Sequence, residues 1–400
     1  MKVLHINSMA HGSTGSIMKD LADSVKEGYI AYPPFDGKEI YNNQILIGTY
    51  ADAFVHHILS RLTGKGGLFS IRATKDFIAK IAKLNPDIIH IHNLHNSYIN
   101  MKILFEYINT NSIPVVWTLH DSWAFTGQCT YYDLVQCQKW QTECHDCPQI
   151  YRYPKSWVDN TRFMYQLKNR MFSSNQNLYL VAPSKWISKQ VSYSFLHNLP
   201  IQVINNGIDI SIFHPTSEVF RKKHNLDHKY ILLAVSNRWD TRKGVDFIAE
   251  ISHIIDPEKA ILVVVGKLTK SKQRLFSRNT IIIPTVRSKA ILADIYSSAD
   301  VFVNPTLEEN FCLVNLEALS CGTPVVCFDS GGCSEVVNSE CGALVYEKTS
   351  KAILSSLSQL KPKAFLSANC RKIASGYDKS NMIQRYCNLY QEILHERGIQ

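Results

Sequence analysis

No run of eighteen or more apolar residues occurs in this 400-residue chain, so the sequence offers no candidate for a membrane-spanning helix. Low-complexity tracts and internal repeats are also missing, which excludes a disordered or solenoid architecture. The formal charge of +9 is not concentrated in either half: 19 basic and 14 acidic residues precede Ile201, and 24 and 20 follow. A basic nucleic-acid-binding tail is therefore not expected, and no nucleic-acid partner is assigned. Acidic residues are scarce in one place. Between Arg152 and Lys189, the cations Arg152, Lys155, Arg162, Lys168, Arg170, Lys185 and Lys189 face only Asp159.

Aromatic and long apolar side chains (Tyr151, Tyr153, Trp157, Phe163, Met164, Tyr165, Met171, Phe172) are interleaved with these cations. Such a segment suits either an anionic bilayer surface or a solvated helix face with its apolar side in a core. The N-terminus, Met1 to Asn7, reads as a strand rather than a signal peptide, so the cytoplasm is the expected location, with the inner membrane face as a peripheral setting. Cysteine is plentiful, at eleven residues. In a reducing compartment these are expected as free thiols or metal ligands instead of a disulfide framework.

The length suits two domains of about 200 residues. Short buried strands are expected at 3–7, 88–92, 115–119, 178–182 and 202–204. A second series is expected at 231–236, 261–266, 280–283, 301–303, 325–328 and 343–346. Helical patterns between them predict two parallel, doubly wound α/β sheets, with a link at 207–215 and a final helix over 383–396.

The segment 299–335 carries the strongest chemical signal. Val301-Phe302-Val303 reads as a buried strand, a helix is expected from about Glu309, and Cys321-Gly322-Thr323-Pro324 closes it. Glu309 and Glu317, with seven residues between them, fall at the strand-to-helix turn, where ligands collect in open α/β sheets. Taken alone, both would be ordinary helix-entrance or surface carboxylates. Two other strand ends add candidates. Gly12 and Gly15 lie between the first strand and a helix, where backbone amides can approach a phosphate, although turn chemistry also explains them. After the strand at 231–236 the chain reads Asn237-Arg238-Trp239-Asp240-Thr241-Arg242-Lys243-Gly244.

The combination of Glu309, Glu317, Ala318-Leu319, Cys321-Gly322-Thr323-Pro324 and Gly331-Gly332 resembles the signature of the retaining family-four glycosyltransferases. Residues 237–244 are similar to that family's G-R-x-x-x-x-K-G pattern, with Asn237 in place of glycine. The resemblance implies a GT-B fold: two Rossmann-like doubly wound domains (1–206 acceptor-binding, 207–382 nucleotide-sugar-binding) facing a central cleft, and a C-terminal helix, 383–400, crossing back to the first. It also implies roles. Arg238 and Lys243 hold the donor phosphates, Glu309 lies beside the donor sugar, and Glu317 clamps the ribose. Gly12, Gly15, Asn310, Phe311 and Leu313 complete the donor site. His120 lies near the reacting sugar or acceptor, with Asp121 orienting its imidazole; a structural histidine is the alternative. Ser184 and 206–209 shape the cleft, and Gly331 and Gly332 close on the phosphates with Glu335 hydrogen-bonding backbone; separately, the place of 285–287 after the strand at 280–283 suggests the base contact.

The expected activity is therefore metal-independent, retaining transfer of a hexose-type sugar from a UDP- or GDP-sugar to a glycan acceptor, polyprenyl-diphosphate-linked, in capsule, exopolysaccharide or O-antigen assembly. No D-x-D pair is present to hold a catalytic divalent ion, and no cofactor is expected for catalysis. A nucleotide-sugar 2-epimerase of the same fold, or a non-catalytic nucleotide-sugar-binding protein, are the alternatives. Cys129, Cys137, Cys144 and Cys147 stand apart from this signature. Their spacing, with Cys144-His145-Asp146-Cys147 as a C-x2-C knuckle, suits a structural zinc, with free thiols or a facultative disulfide as alternatives. The preceding string HDSWAFTG, with the later CP, is similar to a subgroup of bacterial polysaccharide-assembling transferases.

Overall fold

The computed structural model describes residues 1–36 and 41–398. These form two compact units, one of residues 1–205 and 383–400 and the other of 206–382; residues 399 and 400, inside the expected last segment, lie outside the described residues. The first unit holds strands β1 (Lys2–Ile6), β2 (Glu27–Tyr32), β3 (Gln44–Leu46), β4 (Ile88–Ile91), β5 (Val115–Thr118), β6 (Leu178–Ala182) and β7 (Ile201–Val203). Their order is β3-β2-β1-β4-β5-β6-β7, and every pairing is parallel. The second holds β8 (Tyr230–Arg238), β9 (Ala260–Lys267), β10 (Ile281–Ile283), β11 (Val301–Asn304), β12 (Val325–Phe328) and β13 (Gly342–Val345). These lie in the order β10-β9-β8-β11-β12-β13, again all parallel.

Both sheets are doubly wound. Strand order reverses between β1 and β4 in one and between β8 and β11 in the other, and each reversal opens a crevice at the strands' carboxyl ends. The central strands β4, β5, β11 and β12 are buried on both faces, as parallel sheets require. In β11, Phe302 joins the core on one side of the sheet while Val301 and Val303 join the core on the other, the period-two alternation of an extended chain.

Two strands, β2 and β3, were not expected from the sequence. β2 starts three residues after the helix Gly12–Asp23 ends, too soon for a turn cluster to punctuate the pattern. β3 is a three-residue edge strand with no fully buried position. The helix expected from Glu309 begins instead at Leu313 and runs to Ser320. Glu309, Asn310 and Phe311 therefore belong to the loop, because Phe311 turns into the core beside Tyr377, with ring centroids 5.9 Å apart.

The final helix, Lys379–Glu396, closes the first unit. Tyr390 Oη lies 2.6 Å from His90 Nδ1 and Tyr386 Oη lies 2.8 Å from Thr118 Oγ1, while Arg397 donates to the carbonyl oxygens of Ser112 and Gln176. Among the described residues no helix is long and apolar enough to cross a membrane.

Candidate active site

In the second unit the site grows from the ends of β8 and β11. After β8 the chain makes a 3-10 turn, Thr241–Lys243, capped by Asp240, whose carboxylate accepts the Lys243 N–H at 3.0 Å. Gly244 follows with φ +72°, and a Cβ there would overlap the carbonyl of Pro305. Only glycine lets the turn seat against the end of β11. Leu307 N donates to Arg242 O at 2.8 Å, fixing the two loops together.

That seating delivers Lys243 Nζ to Glu309 Oε2 as a hydrogen-bonded ion pair. Arg242 adds a second cation 3.9 Å from the same oxygen and donates to the Glu308 carbonyl at 3.0 Å. Burial opposes the charge on Glu309, whose side chain is 17% exposed. The charges of Lys243 and then Arg242, with hydrogen bonds from Lys243 and the Asn310 N–H, outweigh it and hold the carboxyl below its ordinary range. Behind Glu309 lies the glycine loop. Gly331, at φ +55°, leaves no room for a Cβ against the Glu309 carbonyl, and Gly332 N donates to that carbonyl at 3.1 Å.

Cys312 and Cys333 are joined as a disulfide with Cα atoms 5.1 Å apart. This corrects the expectation of free thiols for that pair: the glycine loop brings two distant cysteines into register. Glu317 sits in the Leu313–Ser320 helix and accepts from Tyr296 Oη at 3.0 Å. Burial pushes its carboxyl up to about 7, only partly countered by that hydrogen bond.

Arg238 ends β8 beyond a register shift, exposed to solvent and without a side-chain partner among the described residues. Thr285 and Arg287, proposed for the base, are exposed beyond β10. Glu335 lies in the 3-10 turn Gly331–Val336. Arg242 was missed by sequence reasoning, although its place beside Lys243 in the same turn was a usable signal.

In the first unit Gly12 opens the helix Gly12–Asp23, which has no side-chain cap, and Gly15 is buried in its first turn. His120, after β5, lies at the end of a chain of imidazoles. Its Nε2 is 3.0 Å from His92 Nδ1, and His92 Nε2 is 3.3 Å from His5 Nδ1. Burial pushes the His120 imidazole down to about 4, against the nearby charge of Asp121, so it acts as a neutral group. Asp121 binds elsewhere than expected: Oδ2 pairs with His95 Nε2 at 2.6 Å and Oδ1 accepts the Trp123 N–H. The sequence signal for the chain was polar alternation, His90 and His92, in an otherwise apolar strand.

Nitrogens of His5, His90 and His92 lie within 4.8 Å of one another, close enough for a metal ion. The rings of His90 and His92 stack, however, with centroids 4.2 Å apart and planes inclined by 21°. His90 is already engaged with Tyr390 and Thr118, whereas His5 Nε2 is buried without a hydrogen-bond partner among the described residues. His5, His92 and His120 form an interior hydrogen-bonded chain, and His90 stacks on it.

Around the cysteine stretch, the thiol of Cys129 is hydrogen-bonded to Cys147, which draws it down to about 7. Cys144 Sγ accepts the Gly127 N–H at 3.2 Å and, by burial, is pushed up to about 12, with Cys129 and Cys137 close enough to add to the shift. Lys168, read from sequence as a surface cation, is fully buried: Nζ donates to the carbonyls of Trp123 and Thr126 at 2.7 and 3.0 Å. Met164, Tyr165 and Phe172 share that core, whereas Tyr151, Tyr153, Trp157 and Phe163 are exposed. Ser184 caps the helix Lys185–Ser192 through Ile187 N.

Residues 216–375 match the family model described as glycosyl transferases group 1, and residues 30–212 match glycosyltransferase family 4. The chain is 24% identical to a putative colanic acid biosynthesis glycosyl transferase of Escherichia coli, over 98% of this chain and 100% of that one. It is 28% identical to an N,N'-diacetylbacillosaminyl-diphospho-undecaprenol alpha-1,3-N-acetylgalactosaminyltransferase of Campylobacter jejuni, over 47% of this chain and 53% of that one. In fold it is similar to a sucrose-phosphate synthase from Thermosynechococcus elongatus, with TM-score 0.75, 18% identity and coverage of 99% and 100%. It is also similar to HepE of Anabaena in complex with UDP-glucose, with TM-score 0.67, 17% identity and coverage of 98% and 100%.

Proposed function

Because the chain belongs to the family-four glycosyltransferases of the GT-B fold, we propose that it moves a hexose-type sugar from a UDP- or GDP-activated donor to a polyprenyl-diphosphate-linked glycan, with net retention, during bacterial polysaccharide assembly. The names of the Escherichia coli and Campylobacter jejuni relatives support the setting and the acceptor class, and the UDP-glucose complex of HepE supports the donor class.

The observation that carries the reading is the ion pair of Lys243 with Glu309 at the strand-order reversal, with Arg242 beside it and Arg238 unpaired nearby in sequence. A departing nucleoside diphosphate gains negative charge, and fixed cations stabilise it more in the transition state than in the ground state. In this reading Arg238 and Lys243 hold the phosphates, while Glu309, kept ionised, accepts sugar hydroxyl protons and orients the anomeric carbon. The acceptor hydroxyl attacks that carbon on the face the diphosphate leaves, and the leaving oxygen takes its proton. No second carboxylate is required as base, unlike the paired acids of glycosidases. Glu317 receives the ribose hydroxyls.

Arg238→Ala and Lys243→Ala are each expected to lower donor turnover by about 10²-fold or more with folding intact, in line with the loss of a transition-state charge partner. Product analysis with a panel of nucleotide sugars checks this: near-wild-type transfer by both variants would sink the assignment, and an epimerised sugar nucleotide formed without acceptor would replace it with the epimerase reading. We propose a structural zinc at Cys129, Cys137, Cys144 and Cys147, supported by their spacing and by the contact of the Cys129 and Cys147 thiols; among the described residues no three of the four sulfurs already converge.

A further inference from the structure

The first unit contains a cavity of about 240 Å³ that the donor chemistry does not use. Arg61, from the helix Tyr50–Thr63, lines it together with His57, His95, Trp123, Tyr153 and Lys155, and no carboxylate lines it among the described residues. Arg61 is the informative member. Its Nε is shielded from water yet has no hydrogen-bond partner among the described residues, and a buried guanidinium N–H left unpaired calls for a ligand. The wall beside it is built for rigidity: His95 is fixed between Asp121 and the Tyr153 hydroxyl, at 2.6 and 2.9 Å. A smaller recess lined by His92, His120 and Asp121 shares His95 and Trp123 with the cavity, placing the Arg61 site next to His120.

The two segments that line the cavity also carry exposed apolar side chains. Phe54, Val55 and Leu62 project from the Tyr50–Thr63 helix, and Tyr151, Trp157 and Val158 from the segment that packs on its end. The two are joined by Trp157 N donating to the Arg61 carbonyl at 2.9 Å. A cationic cavity whose lining holds no acid, on segments that also expose aromatic and aliphatic side chains, fits a diphosphate ester whose other substituent is a hydrocarbon chain.

We propose that the Arg61 cavity is the subsite for the diphosphate of a lipid-linked acceptor, with Lys155, exposed in its lining, as the second cation and the exposed apolar side chains of the same two segments receiving the first isoprenoid units. The inference rests on the acceptor class given above and locates it on this chain. Arg61 is a binding residue, and the transfer chemistry stays with the groups of the other unit.

Titration of the full chain with farnesyl diphosphate, read by tryptophan fluorescence through Trp123, tests it without turnover. Saturable binding is expected, weakened at least tenfold in Arg61→Met and several-fold in Lys155→Met, and unchanged in Arg238→Ala. Inorganic diphosphate is expected to bind the same site more weakly. Neither substitution removes a backbone bond, because the contact from Trp157 goes to the Arg61 carbonyl, and matching thermal unfolding confirms that the fold survives. Binding unaffected by Arg61→Met, or lost in Arg238→Ala instead, overturns the proposal; inorganic diphosphate binding as tightly as the farnesyl ester overturns the lipid part. If no nucleotide sugar supports turnover while Arg61-dependent binding persists, the activity reading fails and the subsite stands.

Discussion

Glu309 and Glu317 begin with the same side chain and end with opposite charge preferences, because cations outweigh burial at one while burial outweighs the hydrogen bond from Tyr296 at the other. With its carboxyl at about 7, Glu317 is largely protonated in mild acid. A protonated carboxyl loses half its capacity to accept two ribose hydroxyls. Nucleotide binding is therefore expected to weaken as pH falls from 8 to 6, and Glu317→Gln should flatten that dependence while lowering affinity at pH 8; isothermal titration across pH checks it. Stability runs the other way. The folded-state pKa is raised above the ordinary 4.5, so the contribution of Glu317 is fully present below that value and is lost as pH rises through about 7. For Glu309 the sign reverses: its depressed pKa gives stability above the ordinary carboxylate range that disappears as pH falls. Its coupling to Lys243 is expected at about 0.5–3 kcal/mol in a double-mutant cycle of Lys243→Met and Glu309→Gln, measured by urea unfolding. A coupling near zero would mean that the pair carries no weight in stability.

At the scale of the element, the loops after β8, β11 and β12 form one object. Gly331 presses on the Glu309 carbonyl, Gly244 on that of Pro305, and the Cys312–Cys333 link ties the loop before the helix to the glycine turn. Gly331→Ala must move the backbone of Glu309 and adopt positive φ, so it is expected to cost more than about 1 kcal/mol of stability and to lower donor affinity together. Loss of affinity at unchanged stability would contradict that linkage. This object was only partly legible in the sequence. The strands were readable because a doubly covered parallel strand is a short apolar run, and the helix end was readable from Gly322 and Pro324. The start at Leu313 was not, because Phe311 has the spacing of a helical core residue but reaches the core from a loop. The disulfide was hidden for a similar reason, since pairing depends on where the glycine turn folds back. Helix periodicity also disguised Lys168, whose charge suggested a surface that tertiary hydrogen bonds made interior. The cysteine stretch, held only by short 3-10 turns at Asp133–Val135 and Lys139–Gln141, is where metal removal should act: about one equivalent of zinc by elemental analysis is expected, with chelation lowering the unfolding temperature. Metal-free protein with an unchanged melt would remove that assignment.

Across the whole molecule, the two units differ in how the chain closes them. Residues 206–382 are continuous, whereas the first unit needs the last helix, which arrives only after the second unit has been made. What that helix contributes is polar as well as apolar. Tyr386 and Tyr390 are fully buried, and their hydroxyls meet Thr118 and His90, the inner end of the histidine network that leads toward His120. Removing residues 383–400 would uncover those aromatic rings and leave His90 Nδ1 unpartnered, with Thr118 keeping only its bond to His90 Nε2; an unsatisfied buried group costs about 1–3 kcal/mol beyond the lost burial. A chain ending at Met382 is therefore expected to exchange amide hydrogens rapidly across β4, β5 and β6 while β8 to β13 stay protected. Tyr390→Phe isolates the polar part: it keeps the ring, leaves His90 Nδ1 unsatisfied, and should destabilise the first unit by about 1–3 kcal/mol without altering exchange in the second. Equal loosening of both sheets in the truncated chain would show that the last helix stabilises the protein globally rather than as the closing element of one unit.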